Sequence, residues 1–265
     1  MAPAAYRVEA NNLSRASENK IHDDSVARRF GFTGGLVPGV EVYAYACHPT
    51  VQHWGRAWLE HGQAECRFLK PVYDGRIATV TAEPAGKGLA LRVESEGMLC
   101  ATGEALLGEP VEPPVIGEFP QARPPAARPP ASEATLAPGT PLGIAPFRLT
   151  EAMLADYLSG VRETDPIYAQ EGLAHPGLVL RLCNRALMEN VVLGPWIHIS
   201  SKVRNFAVAR VGDELSVRAR VVANYERKGH RLVDLDVLAI ANGGTVLARV
   251  LHSAIWQPRQ VTEAG

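Results

Sequence analysis

Apolar positions recur along this chain with two different periods. After Gly39, the residues Val40, Tyr43, Ala44 and Cys47 fall at i, i+3, i+4 and i+7, the signature of one helix face. After Gly177, Leu178, Leu182, Cys183 and Ala186 nearly repeat it. Pro49 is expected to end the first helix and to open a short second one within "PTVQHWGRAWLEHG". Beyond each helix the pattern turns alternating or β-branched. It predicts strands over 64–70, 76–82, 89–96 and 99–107, then over 197–206, 214–223, 231–241 and 245–256. Asp74-Gly75 and Asn242-Gly243-Gly244 supply turns between them.

The two stretches keep step. Gly39 and Gly177 are 177 − 39 = 138 residues apart, Arg67 and Arg204 are 204 − 67 = 137, and Gly75 and Gly212 are 212 − 75 = 137. A near-constant offset across separate landmarks argues for duplication of one module. Each module reads as a long helix packed on an antiparallel sheet, a sound two-layer solution. Each would expose an edge strand, and joining the edges into one continuous sheet removes that liability. Between the modules composition changes sharply. Eleven of the 20 prolines fall between residues 110 and 146. Such density suits an extended connector better than a sheet interior or a helix. The expected organisation is a first unit over 1–108, a Pro-rich linker over 109–146 and a second unit over 147–260.

Composition narrows the function classes. Lys+Arg is 27 and Asp+Glu 28, a net charge of −1, so no global field draws the chain to nucleic acid or to an anionic membrane. No apolar run reaches about eighteen residues, and the N-terminus lacks the pattern of a secretory leader. Cys47, Cys66, Cys100 and Cys183 form no C-x-x-C pair, which points to a reducing, cytoplasmic compartment. His48, His53, His61, His198, His230 and His252 are scattered without metal-ligand spacing, and no metal or cofactor is expected. Neither a dinucleotide fingerprint nor a P-loop occurs. Arg28-Arg29, Arg204, Arg227-Lys228 and Arg231 read as solvated surface before they read as contacts to coenzyme A phosphates.

Two further stretches carry a resemblance. "CRFLKPVYDGRIATV" is similar to the strand–turn–strand that follows the helix in the MaoC-like hydratase/dehydratase family, and "ENKIHDDSVARRFGFTGGLVPGV" resembles that family's catalytic loop. The resemblance covers most of the chain outside the linker. It implies an α+β double hotdog, two helix-on-sheet units fused into one continuous sheet. It also implies water addition to, or removal from, an acyl thioester with a double bond next to the carbonyl, as in an (R)-specific enoyl-thioester hydratase. The family's loop motif is Asp, any, Asn, Pro, Ile or Leu, His. Here Ser17, Glu18, Asn19, Lys20, Ile21 and His22 stand at those positions, so Asn19 and His22 match and the aspartate is replaced by Ser17. In the second unit the positions hold Glu163, Thr164, Asp165, Pro166, Ile167 and Tyr168, and the histidine is absent.

Hydration needs a base for water, a proton for the carbon next to the carbonyl, and stabilisation of the enolate-like oxygen. Histidine suits the first task because it titrates near neutrality. His22 is the candidate acid/base and Asn19 its loop partner; otherwise His22 only bonds its own turn. With Ser17 in the aspartate slot, orientation of His22 falls to Glu18, Asp23 or Asp24, or to nothing. At least one of Asp23 and Asp24 is expected to cap a short helix. The free amides of a helix start favour an oxygen that gains charge, which nominates Gly39 and Val40, and Gly177 and Leu178 in the second unit. The alternative is that glycine is there for close helix–strand approach. Glu163, Tyr168 and His175 form a second candidate set, with Glu163 able to activate water as carboxylates do in hotdog thioesterases. The alternative is a degenerate half that shapes an acyl pocket. The expected ligand is a small acyl thioester held by a monomer or a homodimer. A thioesterase and a non-catalytic acyl-thioester binder are the rival readings.

Overall fold

The structure is a computed structural model that describes residues 3–259; residues 1–2 and 260, the outer ends of the two expected units, lie outside the described residues. A short strand β1 (Tyr6–Glu9) leads through a loop to a single 3-10 turn (Lys20–His22) and helix α1 (Asp24–Arg28). Then come α2 (Gly39–Trp54), α3 (Arg56–His61), and strands β2 (Gly62–Phe68), β3 (Ile77–Ala85), β4 (Gly88–Ser95) and β5 (Met98–Leu107). The second half opens with the short strands β6 (Pro141–Leu142) and β7 (Phe147–Arg148). Helices α4 (Glu151–Val161), α5 (Ile167–Glu171) and α6 (Pro176–Met188) follow, and then strands β8 (Ile197–Asn205), β9 (Glu214–Arg227), β10 (His230–Ala241) and β11 (Thr245–Gln257).

All strands form one antiparallel sheet in the order β1-β3-β4-β5-β2-β8-β11-β10-β9-β6, with β7 also on β9. The two halves meet where β2 pairs β8, Gln63 opposite Arg204 and Arg67 opposite Ser200. Each would-be edge thus covers the other. The eight predicted long strands are all present, several extended by a few residues. The duplication also holds at a finer level. The isolated bridge Leu36–Tyr73 recurs as Leu173–Arg210, and the bond from Val37 N to Val72 O recurs from Ala174 N to Ala209 O. The offset there is 173 − 36 = 137, and α2 and α6 begin 176 − 39 = 137 residues apart. Gly39 is therefore equivalent to Pro176, one residue before the predicted partner Gly177.

Helix α2 is buried on every side from Val40 to Val51, wrapped by the sheet and crossed by α6. Two of its charged or titratable members meet partners: Glu41 Oε1 accepts from Arg181 of α6, and His48 meets Glu163. Pro49 does not end this helix, which runs on to Trp54 and stops at Gly55 with φ +60°. A mid-helix proline costs roughly 3 kcal/mol, but the residues just past it, Thr50 and Val51, are fully buried and hold the extra turn in place. The short helix after it starts at Arg56, beyond Gly55.

The proline-rich stretch is not a free connector. Leu136, Leu142 and Ile144 join the main core, and Phe119 is buried against Leu238, Ile240 and Val246 of β10 and β11. Arg218 of β9 donates to the carbonyls of Ile116 and Phe119, and Gly139 N bonds Val221 O. A chain poor in donors still packs against a sheet when neighbouring side chains and strand edges serve its carbonyls.

Candidate functional site

The loop from Asn19 to Pro38 is built around close approaches. Asn19 Oδ1 accepts from Ile21 N at 3.3 Å, which starts the 3-10 turn carrying His22. The same oxygen accepts from Trp196 N at 3.1 Å, while Asn19 Nδ2 donates to Trp196 O at 2.9 Å. Asn19 thereby ties the first half's loop to the segment that enters β8 of the second. Ile21, Ala27 and Leu36 form a small core of their own beside Phe32 and Ile197, and so seat the loop. Gly35 lies directly on the His22 carbonyl, since a Cβ there would sit 2.2 Å from that oxygen. This position in "GFTGG" admits no side chain.

His22 is 8% exposed. Its Nδ1 lies 2.6 Å from Leu36 O. A carbonyl only accepts, so Nδ1 carries the proton and Nε2 keeps a lone pair. Asn19 Nδ2 meets that lone pair at 3.2 Å. Burial pushes the imidazole's pKa below its usual value, and the Leu36 carbonyl offsets part of that. The residue that orients His22 is thus a backbone carbonyl. Among the candidate acids, Glu18 pairs with Arg128, Asp23 Oδ1 caps α1 through Ser25 N and Val26 N, and Asp24 Oδ1 accepts from Gly35 N. Asp23 is a cap and not a reacting group. Ser17 Oγ bonds only the Asn19 carbonyl, at 3.4 Å.

His22 and Asn19 line a pocket of about 280 Å³, mostly apolar, together with Pro38, Gly39, Phe68, Trp196 and His198. Gly39 is the first residue of the 16-residue α2, and Pro38 before it offers no side-chain cap. The amides of Glu41 and Val42 return to Pro38 O, so the first-turn donors at Gly39 and Val40 have no partner within the helix. Gly39 itself faces the pocket; Val40 is buried beside it. A Cβ on Gly39 would lie 2.9 Å from His198 Nδ1 and 3.0 Å from the Phe68 ring. This glycine thus combines a close approach of helix to strand with amides left open at the helix start.

The second unit presents the same frame, filled. Asp165 Oδ1 accepts from Ile167 N at 3.0 Å, the counterpart of the Asn19–Ile21 bond. Glu163 is buried, with Oε1 accepting from the amides of Thr164 and Asp165, both at 2.7 Å, and meeting His48 Nδ1 at 2.5 Å. Its Oε2 lies 3.2 Å from His175 Nε2. Burial raises the Glu163 pKa, but the hydrogen bonds from His175 and His48 outweigh it and hold the carboxyl well below the usual range. His175 Nδ1 accepts from Gly177 N at 3.0 Å, and Leu178 N bonds His175 O. Those amides are spent, so Gly177 and Leu178 are not an oxyanion pair. A Cβ on Gly177 would strike Tyr157 and Ala44, which makes it a helix-packing glycine. Tyr168 is fully buried with its hydroxyl unpartnered. The Tyr6 ring stacks on His48 at 3.8 Å and closes the remaining side. The set Glu163, Tyr168 and His175 is brought together, in core rather than cavity.

The residue missed by the sequence reading is His198. It lies on β8 in the inward phase, where alternation calls for an apolar side chain, and its ring stacks on another inward histidine, His252 of the neighbouring strand β11. Two histidines in the buried phase of adjacent strands were the available signal. Among the described residues no group of three or more His, Cys, Asp or Glu side chains is disposed to hold a metal ion.

No family model and no curated protein sequence matches this chain. Solved structures do. A structure from Chloroflexus aurantiacus described as a MaoC domain dehydratase superposes with TM-score 0.63 at 13% identity, covering 98% of this chain and 95% of its own. The fold is a double hotdog. A Mycobacterium tuberculosis protein reported with that fold matches at TM-score 0.60 and 14% identity, over 96% of both chains. A structure from Novosphingobium aromaticivorans described as a thioesterase matches at 0.56 and 12%, again over 96% of both. The double hotdog is therefore common to neighbours with different chemistries, and the site must decide between them.

Proposed function

We propose that this protein is an (R)-specific enoyl-thioester hydratase/dehydratase acting on an acyl-CoA-type substrate, with its working site in the first half. One observation carries the reading. A buried imidazole with its lone pair fixed on Nε2 shares an apolar pocket with the uncapped start of a long helix. The thioester carbonyl lies at Gly39, where the open amides favour the charge that grows on oxygen. A water replaces the 3.2 Å contact between Asn19 and His22. Its oxygen accepts from Asn19 and it donates to His22 Nε2. As oxygen bonds to the β-carbon, His22 takes that proton and returns it to the α-carbon, so the imidazole ends neutral as it began. Dehydration runs the same steps backwards.

Hydration of trans-2-enoyl-CoA substrates of several chain lengths tests this. His22→Ala should lower kcat by about 10²–10⁴-fold; equal rates in the two proteins would overturn the assignment. The base must be neutral to act. Activity should therefore hold at neutral pH and fall on acidification through a pKa lower than the ordinary 6.5 of histidine.

A thioesterase would use Glu163 to activate water, but both oxygens of Glu163 are engaged and buried. Thiol release from acyl-CoA that is lost in Glu163→Gln would select it nonetheless. Tight thioester binding without turnover would select a non-catalytic binder, a reading favoured by the absence of a carboxylate on His22. The four free cysteines are all buried, which suits a reducing cytoplasmic setting, and among the described residues no helix is long and apolar enough to cross a membrane.

A further inference from the structure

A water molecule poised for attack has four directions to satisfy. In the reading above, one lone pair accepts from Asn19 and one points at carbon. One O–H goes to His22. The second O–H needs an acceptor, and the first half supplies none: Ser17 bonds its own turn, and Asp23 and Asp24 are committed to amides. The second half does supply one.

His198 is 5% exposed and lines the same pocket. Its Nε2 lies 3.2 Å from Ser200 O and 2.9 Å from Ser201 Oγ. The carbonyl only accepts, so Nε2 carries the hydrogen and Nδ1 the lone pair. Ser201 Oγ then donates to His252 Nδ1 at 3.0 Å, and the His252 ring stacks on His198 at 4.2 Å. This chain fixes the orientation of the His198 ring from behind. Its Nδ1 has no partner, a costly condition for a buried polar atom. That same Nδ1 sits next to Gly39, where a Cβ would come within 2.9 Å of it. Asn19 is anchored on the backbone of Trp196, two residues before His198, a separation of about 7 Å along an extended chain.

We propose that His198 Nδ1 is the second acceptor for the attacking water, and for the 3-hydroxyl of the hydrated product, so that the working site is completed by the other half of the chain. Resting on the hydratase reading, this assigns the two imidazoles unequal work. His22 takes one proton of the water and passes it to the α-carbon. The other proton stays on oxygen throughout, hydrogen-bonded to His198, and becomes the product hydroxyl. No proton is left over. Burial and the neighbouring His252 keep the His198 ring neutral, as a permanent acceptor requires.

The test is binding to the full chain of two thioesters that differ by one hydroxyl, (R)-3-hydroxybutyryl-CoA and butyryl-CoA. Wild type should prefer the hydroxylated ligand by about tenfold. His198→Leu should erase that preference, so that the ratio of the two affinities, whatever their absolute values in the variant, falls to about one. His198→Asn, whose Oδ1 stands near the place of Nδ1, should keep most of it. In ¹⁵N spectra of the wild type, the His198 Nδ1 resonance should move with the hydroxylated thioester and not with butyryl-CoA; this needs no variant to fold. Equal affinity of wild type for both ligands, an unchanged preference in His198→Leu, or a silent Nδ1 resonance would each overturn the proposal while leaving the hydratase reading standing. Failure of wild type to bind either thioester would overturn both.

Discussion

The two halves place nearly the same frame around opposite interiors. In both, an Asx-type bond starts the loop, Asn19 to Ile21 and Asp165 to Ile167. In both, a bridge fixes the approach to the helix, Leu36–Tyr73 and Leu173–Arg210. The difference lies in how the helix begins. At α2 the cap is Pro38, which has no side-chain acceptor, and the first residue is Gly39, which has a free amide. The equivalents at α6 are His175, whose Nδ1 takes the Gly177 amide, and Pro176, which has no N–H to offer. One helix start is left open toward a pocket and the other is satisfied internally. Duplication thus separates two demands that a single module must meet together: a stable core and an unsatisfied site.

This comparison predicts a double dissociation. The largest stability effect should come from Glu163→Ala. It strands two buried histidines and the amides of Thr164 and Asp165, and should cost about 3–5 kcal/mol. Turnover per folded molecule should be unchanged. Chemical denaturation with parallel hydration assays reads both. A loss of kcat matching that of His22→Ala would break the comparison. The sign with pH is fixed by the depressed carboxyl of Glu163. Its contribution is full above the usual carboxylate pKa of 4.5 and is lost as pH falls toward the folded value. The gap between wild type and variant should therefore be widest near neutrality and narrow below about pH 4.

A smaller effect, on activity rather than stability, is expected at the open helix. Gly39→Ala drives a methyl group against His198 Nδ1 and the Phe68 ring. It should lower kcat/KM by about tenfold to a hundredfold through displaced donors and a narrowed pocket. Helix propensity, which favours alanine, should limit the stability loss to about 1–2 kcal/mol. Gly177→Ala meets Tyr157 and Ala44 instead, so it should cost stability with little change in rate. The same rate loss from both would deny the asymmetry.

Much of this was legible in the sequence, and what was not has physical reasons. The strands showed because alternation and turn glycines are local signals. The joined sheet followed from two exposed edges and a repeat. His22 and Asn19 stood out as a motif. Pro49 misled because local breaking power lost to tertiary burial of Thr50 and Val51. The proline-rich stretch misled because composition says nothing of packing partners such as Phe119. Gly177 and His175 looked like a second site because the linear pattern cannot tell an open helix start from one capped by its own histidine. His198 was passed over because its importance comes from Gly39 and His252, far away along the chain, and two inward histidines become a pair only once their strands are known to be neighbours.

The smallest predicted effect sharpens the comparison most cheaply. Tyr168 occupies the position of His22 in the filled half, fully buried, with a hydroxyl that meets no partner. If that ring only fills space, its oxygen is a desolvated group without return. Tyr168→Phe removes the oxygen and keeps the ring, including its contact with the His175 imidazole at 4.5 Å. Stability should stay unchanged or rise by up to about 1 kcal/mol, and hydration rates should not move. The pairing His22→Phe should instead abolish turnover, although it makes the first loop chemically more like the second. A drop in activity from Tyr168→Phe alone would mean that the second half does chemistry after all, because no packing loss accompanies the removal of an unpaired hydroxyl.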